Sequence, residues 1–245
     1  MAKYLGIKAR ILVPSMVDEH VIFNIKSEGS TVEVYNGDYD QTVLVTKRAA
    51  DEHSDGKGLL ISDTALEVGD EVPQWIVDGY QTMFDEVEEQ TVDIVPGKAI
   101  THVITPLGVG SLAQAVSIHF GRKSNKPKII TVEPEAAACF KTSLEAGQST
   151  TVEPGYTICT GMRCGTLSEN AWPILKESVN VALTADDLQV DEAIKELHSY
   201  GVLAGPCGAA SLAAARQLQG TRNFDSEAVV LILCTEGERH YQLQD

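Results

Sequence analysis

The chain has 245 residues, 43% of them hydrophobic, enough apolar side chain to bury one substantial core or two small ones. Nineteen Lys and Arg stand against 35 Asp and Glu, and the formal charge of −16 opposes a nucleic-acid backbone or an anionic membrane surface as partner. The five cysteines form no C-x-x-C pair, have no His at zinc-finger spacing, and accompany no signal-like opening or membrane-length apolar run, so the reading is a cytoplasmic protein with reduced thiols and no metal centre.

Short β-rich runs alternate with helical patterns along the whole chain. That alternation predicts an α/β protein, two-lobed and three-layered (α/β/α), with mostly parallel sheets. Residues 2–8 read as the last turn of a helix closed by Gly6, and since one turn is not stable alone, an element is expected before it. A strand at 9–13, a helix at 17–27, a strand at 31–35, a helix at 41–53 and a strand at 59–61 make a smaller lobe over residues 1–60.

The larger lobe, residues 61–245, opens on a long helical stretch interrupted near Pro73 and ended by Pro96 and Gly97. A strand at 102–105, a helix at 111–120, a strand at 128–132 and a helix at 135–146 follow. Residues 152–165 lack periodicity and read as an ordered loop near a site. Beyond it come a helix at 171–176, a strand at 180–183, a capping box at 184–187 that starts a helix ending near Tyr200, an Ala-rich helix at 208–218 and a buried strand at 229–234.

The chemistry-bearing motif is the turn that joins strand 102–105 to helix 111–120, where Gly108, Val109, Gly110 and Ser111 stand in sequence. Glycines let the backbone close around an anion, the helix end contributes its unpaired N–H groups, and the serine hydroxyl adds a donor. Such a turn suits a phosphate monoester, although two glycines also permit a tight strand-to-helix turn with no ligand. With Glu133 ending the next strand, it imitates a dinucleotide fingerprint, in which that carboxylate would hold a ribose hydroxyl. The alternative for Glu133 is a strand-end residue bound to backbone amides. Cys159 or Cys164 with His102 or His198 is a conceivable thiol–imidazole pair, set against buried inert thiols.

Several stretches are similar to the pyridoxal-phosphate enzymes of the tryptophan-synthase-β fold type, and most of all to diaminopropionate ammonia-lyases. They are residues 2–14, 34–40, 61–65, 73–76, 79–86, Gly108 to Gly110, 132–134, 157–165, 205–209 and 235–237, in the same order over nearly the whole chain. The resemblance implies a PLP fold type II and pyridoxal phosphate as cofactor, its phosphate cradled by Gly108, Val109, Gly110 and Ser111. It places Cys234 and Thr235 near the pyridine nitrogen, assigns Asp63 to proton abstraction, with a helix-capping Asp after the strand at 59–61 as the alternative, and sets Gly205 to Gly208 beside the cofactor. The activity implied is α,β-elimination of a small amino acid to a 2-oxo acid and ammonia, with a homodimer as the assembly. The family's cofactor-attaching lysine and its Gly-Asn-His-Gly turn would precede the motif matched at residues 2–6, while Lys3 and Lys8 read as surface lysines. The resemblance thus implies an N-terminally truncated member, with covalent attachment of the cofactor in question and little activity for these 245 residues alone. The other reading it leaves is a non-catalytic scaffold that keeps the anion site.

Overall fold

Apolar residues in the sequence come in adjacent pairs, Val103-Ile104 and Ile129-Ile130, which only a strand covered on both faces can bury. A computed structural model of the chain describes residues 2–53, 56, 58–221 and 223–244, in two units, Met1–Ile61 and Ser62–Asp245.

The first unit holds α1 (Ala2–Leu5), β1 (Arg10–Pro14), α2 (Glu19–Ser27), β2 (Thr31–Tyr35) and α3 (Tyr39–Asp51). The two strands pair in parallel, from Arg10 opposite Thr31 to Pro14 opposite Tyr35. Arg10 and Glu33 flank that register and form a bidentate, exposed pair at 2.7 Å. Asp38 caps α3 in a reciprocal box with Gln41. The strand expected at 59–61 is not formed: Leu59 and Ile61 are exposed, and the unit's sheet consists of β1 and β2 among the described residues. A three-residue apolar run without a neighbour to bond has no ladder to stabilise it.

The second unit holds α4 (Glu71–Gly79), α5 (Gln81–Ile94), β3 (His102–Pro106), α6 (Ser111–Gly121), β4 (Lys128–Pro134), α7 (Cys139–Ala146), α8 (Trp172–Ser178), β5 (Val181–Ala185), α9 (Asp187–Ser199), α10 (Pro206–Leu218) and β6 (Val230–Ile232). Its sheet is parallel throughout, in the order β5-β4-β3-β6. Ile104, Ile130 and Val132 pack with α9 and α10, while Val103, Ile129 and Leu233 pack with Phe84, Val116 and Phe120 on the other side. This unit is therefore a three-layer α/β/α sandwich.

Three boundaries differ from the sequence reading. Pro73 does not interrupt the helical stretch; it sits in the first turn of α4, where a proline removes no intrahelical bond, and the break falls at Gly79-Tyr80 instead. The helix expected at 135–146 is divided into a 3-10 turn at Glu135–Ala137 and α7, because the Glu133 carboxylate folds back to accept the N–H groups of Phe140 and Lys141 at 2.7 and 2.9 Å. The cap of α9 is Asp186, paired with Gln189, and Thr184 belongs to β5.

Glu133 is fully buried, and burial pushes its carboxyl up to about 7 against the opposing pull of those two amides, the Cys139 thiol and Lys141. A value raised from the ordinary 4.5 means that its stabilising contribution is complete below that pH and is lost as pH rises through about 7. The loss amounts to about 3 kcal/mol above neutrality. Urea unfolding of the wild type and Glu133→Gln from about pH 4 to pH 8 checks this: the wild type should lose ground to the variant with rising pH, and a constant gap refutes it. Packing gives a second test, because a Cβ on Gly208 would stand 2.7 Å from the Glu236 carbonyl oxygen and 2.9 Å from the Cys234 sulfur. Gly208→Ala should cost about 1–3 kcal/mol in thermal melts. Gly121→Ala, at the end of α6 where a Cβ meets nothing within 4 Å, should not destabilise.

Candidate cofactor site

In a parallel sheet, the carboxyl ends of neighbouring strands share one edge, and ligands bind there. β3 and β6 are such neighbours, with Ile104 opposite Ile232 and the Leu233 N–H donating to the Ile104 carbonyl at 3.0 Å. The segments that follow them, 107–110 and 233–237, therefore emerge side by side. This brings Gly108, Val109, Gly110 and Ser111 to the same edge as Cys234 and Thr235.

The glycines on the first segment are required by space. Gly110 has φ of +100°, and a Cβ there would stand 3.0 Å from the Ala171 Cβ and 3.1 Å from Leu175 Cδ1 on α8. At Gly108 a Cβ would come within 3.3 Å of the Met162 Cα and 3.4 Å of the Gly161 carbonyl. The turn's carbonyls are all used: the Cys139 thiol donates to Gly108, the Ser168 N–H to Val109 at 2.9 Å, and the Gln114 N–H to Gly110 at 2.8 Å. With the carbonyls turned inward, the turn feeds directly into the positive end of α6.

Asp63 reaches this turn. Ser111, almost entirely buried, donates its hydroxyl proton to Asp63 Oδ2 at 2.7 Å. The segment carrying Asp63 is anchored to the loop before α8. Ala65 N–H donates to Ser168 Oγ at 2.9 Å, Glu169 N–H to the Ala65 carbonyl at 3.0 Å, and Gly69 N–H to Asn170 Oδ1 at 2.7 Å. Tyr80, half-buried at the α4–α5 junction, stands beside the same pair; burial and then the charge of Asp63 push its phenol up, while a hydrogen-bonding contact with Ser111 pulls it down. Sequence reasoning named Asp63 and Ser111 but missed Tyr80, Ser168 and Asn170, whose spacing along the chain carries no signal of their meeting.

Cys234 and Thr235 are exposed at the sheet edge, and burial of part of the thiol and the nearby Glu236 charge raise Cys234. The turn at Gly205 to Gly208 is filled by the chain itself. Glu236 Oε2 accepts the Cys207 N–H at 2.6 Å, the Gly205 N–H bonds the Glu236 carbonyl at 3.0 Å, and Arg239 holds the other Glu236 oxygen at 2.9 Å. The dinucleotide reading fails at Glu133, whose two oxygens are spent on α7 amides beneath the surface, out of reach of a ribose. No thiol–imidazole pair forms from the named residues: Cys159 contacts Cys207, His102 pairs with Thr101 and stacks edge-on with Phe224, and His198 bonds the Ala204 carbonyl.

The phosphate end of pyridoxal phosphate fits this geometry, since a turn with crowded glycine positions, one of them at positive φ, leads into a helix start beside a serine hydroxyl. Of the lysines in the second unit, Lys98, Lys123 and Lys195 pair with Glu227, Glu88 and Asp191, and Lys176 lies over the Trp172 ring. Among the described residues no cluster of His, Cys, Asp and Glu could hold a metal, and no helix is long and apolar enough to cross a membrane.

Comparison with known proteins bears on the family and the fold. The pyridoxal-phosphate dependent enzyme family matches residues 1–236. Diaminopropionate ammonia-lyase of Salmonella typhimurium is 30% identical over 97% of this chain and 63% of its own length, and that of Escherichia coli is 29% identical over 98% and 64%. The chain thus spans less than two thirds of these relatives. The crystal structure of the Escherichia coli enzyme in complex with D-serine superposes with a TM-score of 0.83 at 28% identity, covering 96% of this chain and 62% of that one. Maize serine racemase shares the fold, with a TM-score of 0.79 at 24% identity over 98% of this chain and 68% of its own. By family and by fold, the chain belongs to the pyridoxal-phosphate dependent enzymes.

Proposed function

We propose that these residues form the cofactor-phosphate and proton-handling part of an ammonia-lyase that eliminates the β-substituent of a small amino acid, giving a 2-oxo acid and ammonia. The observation that carries this reading is the Asp63–Ser111 hydrogen bond on the glycine turn, which puts a carboxylate against the anion cradle. The names of the relatives, ammonia-lyases whose substrate is a small diamino acid, support the same class.

Pyridoxal phosphate, when bound, supplies an electron-withdrawing ring that stabilises negative charge at the α-carbon of an attached amino acid. The chain's own residues supply the rest. The glycine turn and the α6 end bind the phosphate and fix the ring's depth. Asp63 accepts a proton at Oδ, positioned by Ser111 and by the Ser168 and Asn170 anchors of its segment. Thr235 offers a hydroxyl to a neutral ring nitrogen at the adjoining strand end. The four second-unit lysines whose partners are defined are engaged away from the glycine turn, which favours non-covalent holding of the cofactor; little lyase activity is assigned to these residues by themselves, and a binding scaffold without catalysis is the second reading.

Two measurements test this. Fluorescence titration should show saturable pyridoxal phosphate binding that Gly110→Val, which forces a side chain onto Ala171 at positive φ, weakens by at least about tenfold, equivalent to ~1.4 kcal/mol. Absence of binding to the wild type would remove the proposal. Intact mass after borohydride reduction in the presence of the cofactor should show no stoichiometric adduct. A single adduct mapped to one lysine would overturn the assignment of little activity.

A further inference from the structure

The segment after β6 carries an ion pair that the lyase reading leaves without a role. Glu236 and Arg239 are bonded at 2.9 Å, with 25% and 14% of their side chains exposed. Glu236 follows directly on Cys234 and Thr235, and its second oxygen accepts the Cys207 N–H at the start of α10 at 2.6 Å. Arg239 engages all three guanidinium nitrogens: Nε donates to Glu236, Nη1 to the His240 carbonyl at 3.3 Å, and Nη2 to the Ile158 carbonyl. Ile158 belongs to the loop that backs the glycine turn, where a Cβ on Gly108 would stand 3.3 Å from the Met162 Cα. Asp187 also holds that loop, accepting the Ile158 N–H at 3.1 Å and the Thr157 hydroxyl proton at 2.7 Å. One guanidinium therefore bridges the strand end after β6 and the loop behind the glycine turn.

Resting on the pyridoxal-phosphate reading above, we infer that Arg239 is a positioning residue of the cofactor site: it holds the strand end that carries Cys234 and Thr235 at a fixed spacing from the loop behind the glycine turn, and it cancels the Glu236 charge beside that strand end. Pyridoxal phosphate is a rigid ring with its phosphate on a short arm, so a site that meets both ends depends on the distance between them. A ligand that fills the phosphate end alone does not. Arginine suits this task, because its planar fork fixes several directions at once, whereas an ammonium is a point charge on a flexible stem. The charge acts at close range: a Cβ on Gly208 would meet both the Cys234 sulfur at 2.9 Å and the Glu236 backbone N at 3.2 Å, so thiol and Glu236 line the same spot. Burial and then the Glu236 carboxylate already raise the Cys234 thiol. Without Arg239 the carboxylate would favour the protonated form of any titratable group at this edge more strongly.

The test pairs ligand titrations with a pH profile of the free chain. Calorimetric titration uses pyridoxal phosphate and, separately, inorganic phosphate, which fills the phosphate end alone. Arg239→Met should weaken pyridoxal phosphate binding by about threefold to tenfold, the effect of lost hydrogen bonds from a charged donor, and leave inorganic phosphate binding unchanged. Arg239→Lys should recover part of the loss, and it carries the same comparison if thermal melts show that Arg239→Met does not fold. Cys234, the exposed member of the five free cysteines, reports the charge. Its alkylation by iodoacetamide, followed by mass spectrometry across pH, should shift to higher pH in Arg239→Met and to lower pH in Glu236→Gln. Equal losses for both ligands in a folded variant, or alkylation profiles that move the same way in the two substitutions, would overturn the inference. If the wild type binds no pyridoxal phosphate, the reading above fails and the spacing role falls with it. If the wild type binds and Arg239→Met binds as well as the wild type does, that reading stands and the role of Arg239 alone falls.

Discussion

One buried serine holds the site together. Ser168 is 1% exposed and uses its backbone N–H on the Val109 carbonyl and its hydroxyl oxygen on the Ala65 N–H. Those two bonds tie two separate segments, one carrying the glycine turn and the other Asp63, to the loop before α8. In an interior that excludes water, each such bond is expensive to leave unmade, so the two segments are locked together rather than merely adjacent. The 2.7 Å contact of Asp63 with Ser111 follows from this lock, as does the closeness of α8 that forbids any side chain at Gly110.

The same geometry reconciles an acidic chain with an anionic guest. At physiological salt, surface charge is screened beyond about 8 Å, so the formal −16 sets solubility and long-range approach more than binding at a backbone site. What acts at the cradle is local: the end of α6, two hydroxyls and one carboxylate. The balance of those few groups decides whether a phosphate is held and how firmly.

Much of this was legible in the sequence because it was local. The strand, glycine and helix sequence from His102 to Gly121 states its own geometry, and the doubled apolar pairs state a sheet buried on both faces. Family resemblance added Asp63, which no spacing rule would have singled out. What stayed hidden was set by contacts distant in sequence. That Glu133 bonds backbone amides was one of its two sequence readings, but not that this local bond splits the helical pattern at 135–146. Tyr80 read as part of a long helical stretch, since only folding brings it near the Asp63 charge. Leu59 to Ile61 carried strand propensity without a strand beside them.

A pattern in the helix ends bears on the anion site proposed at α6. The chain covers the starts of α7, α9 and α10 with its own carboxylates, placing Glu133, Asp186 and Glu236 directly on backbone N–H groups. Each bond satisfies a donor that helix geometry leaves over and sets a negative charge at a positive end. Those three ends are already capped, at α7 by the buried Glu133, at α9 by Asp186 and at α10 by Glu236, which also pairs with Arg239. At α6 the arrangement is different in kind: the residue before the helix is Gly110, which has no side chain to cap with, and the carboxylate nearby is bonded through the Ser111 hydroxyl. A hydroxyl can turn between acceptors at little cost, whereas an amide fixed in a helix cannot. In the proposed site the serine would keep Asp63 close enough to handle a proton while leaving the helix end to a larger anion, the division of labour that a cofactor held by its phosphate and worked on by a neighbouring base requires.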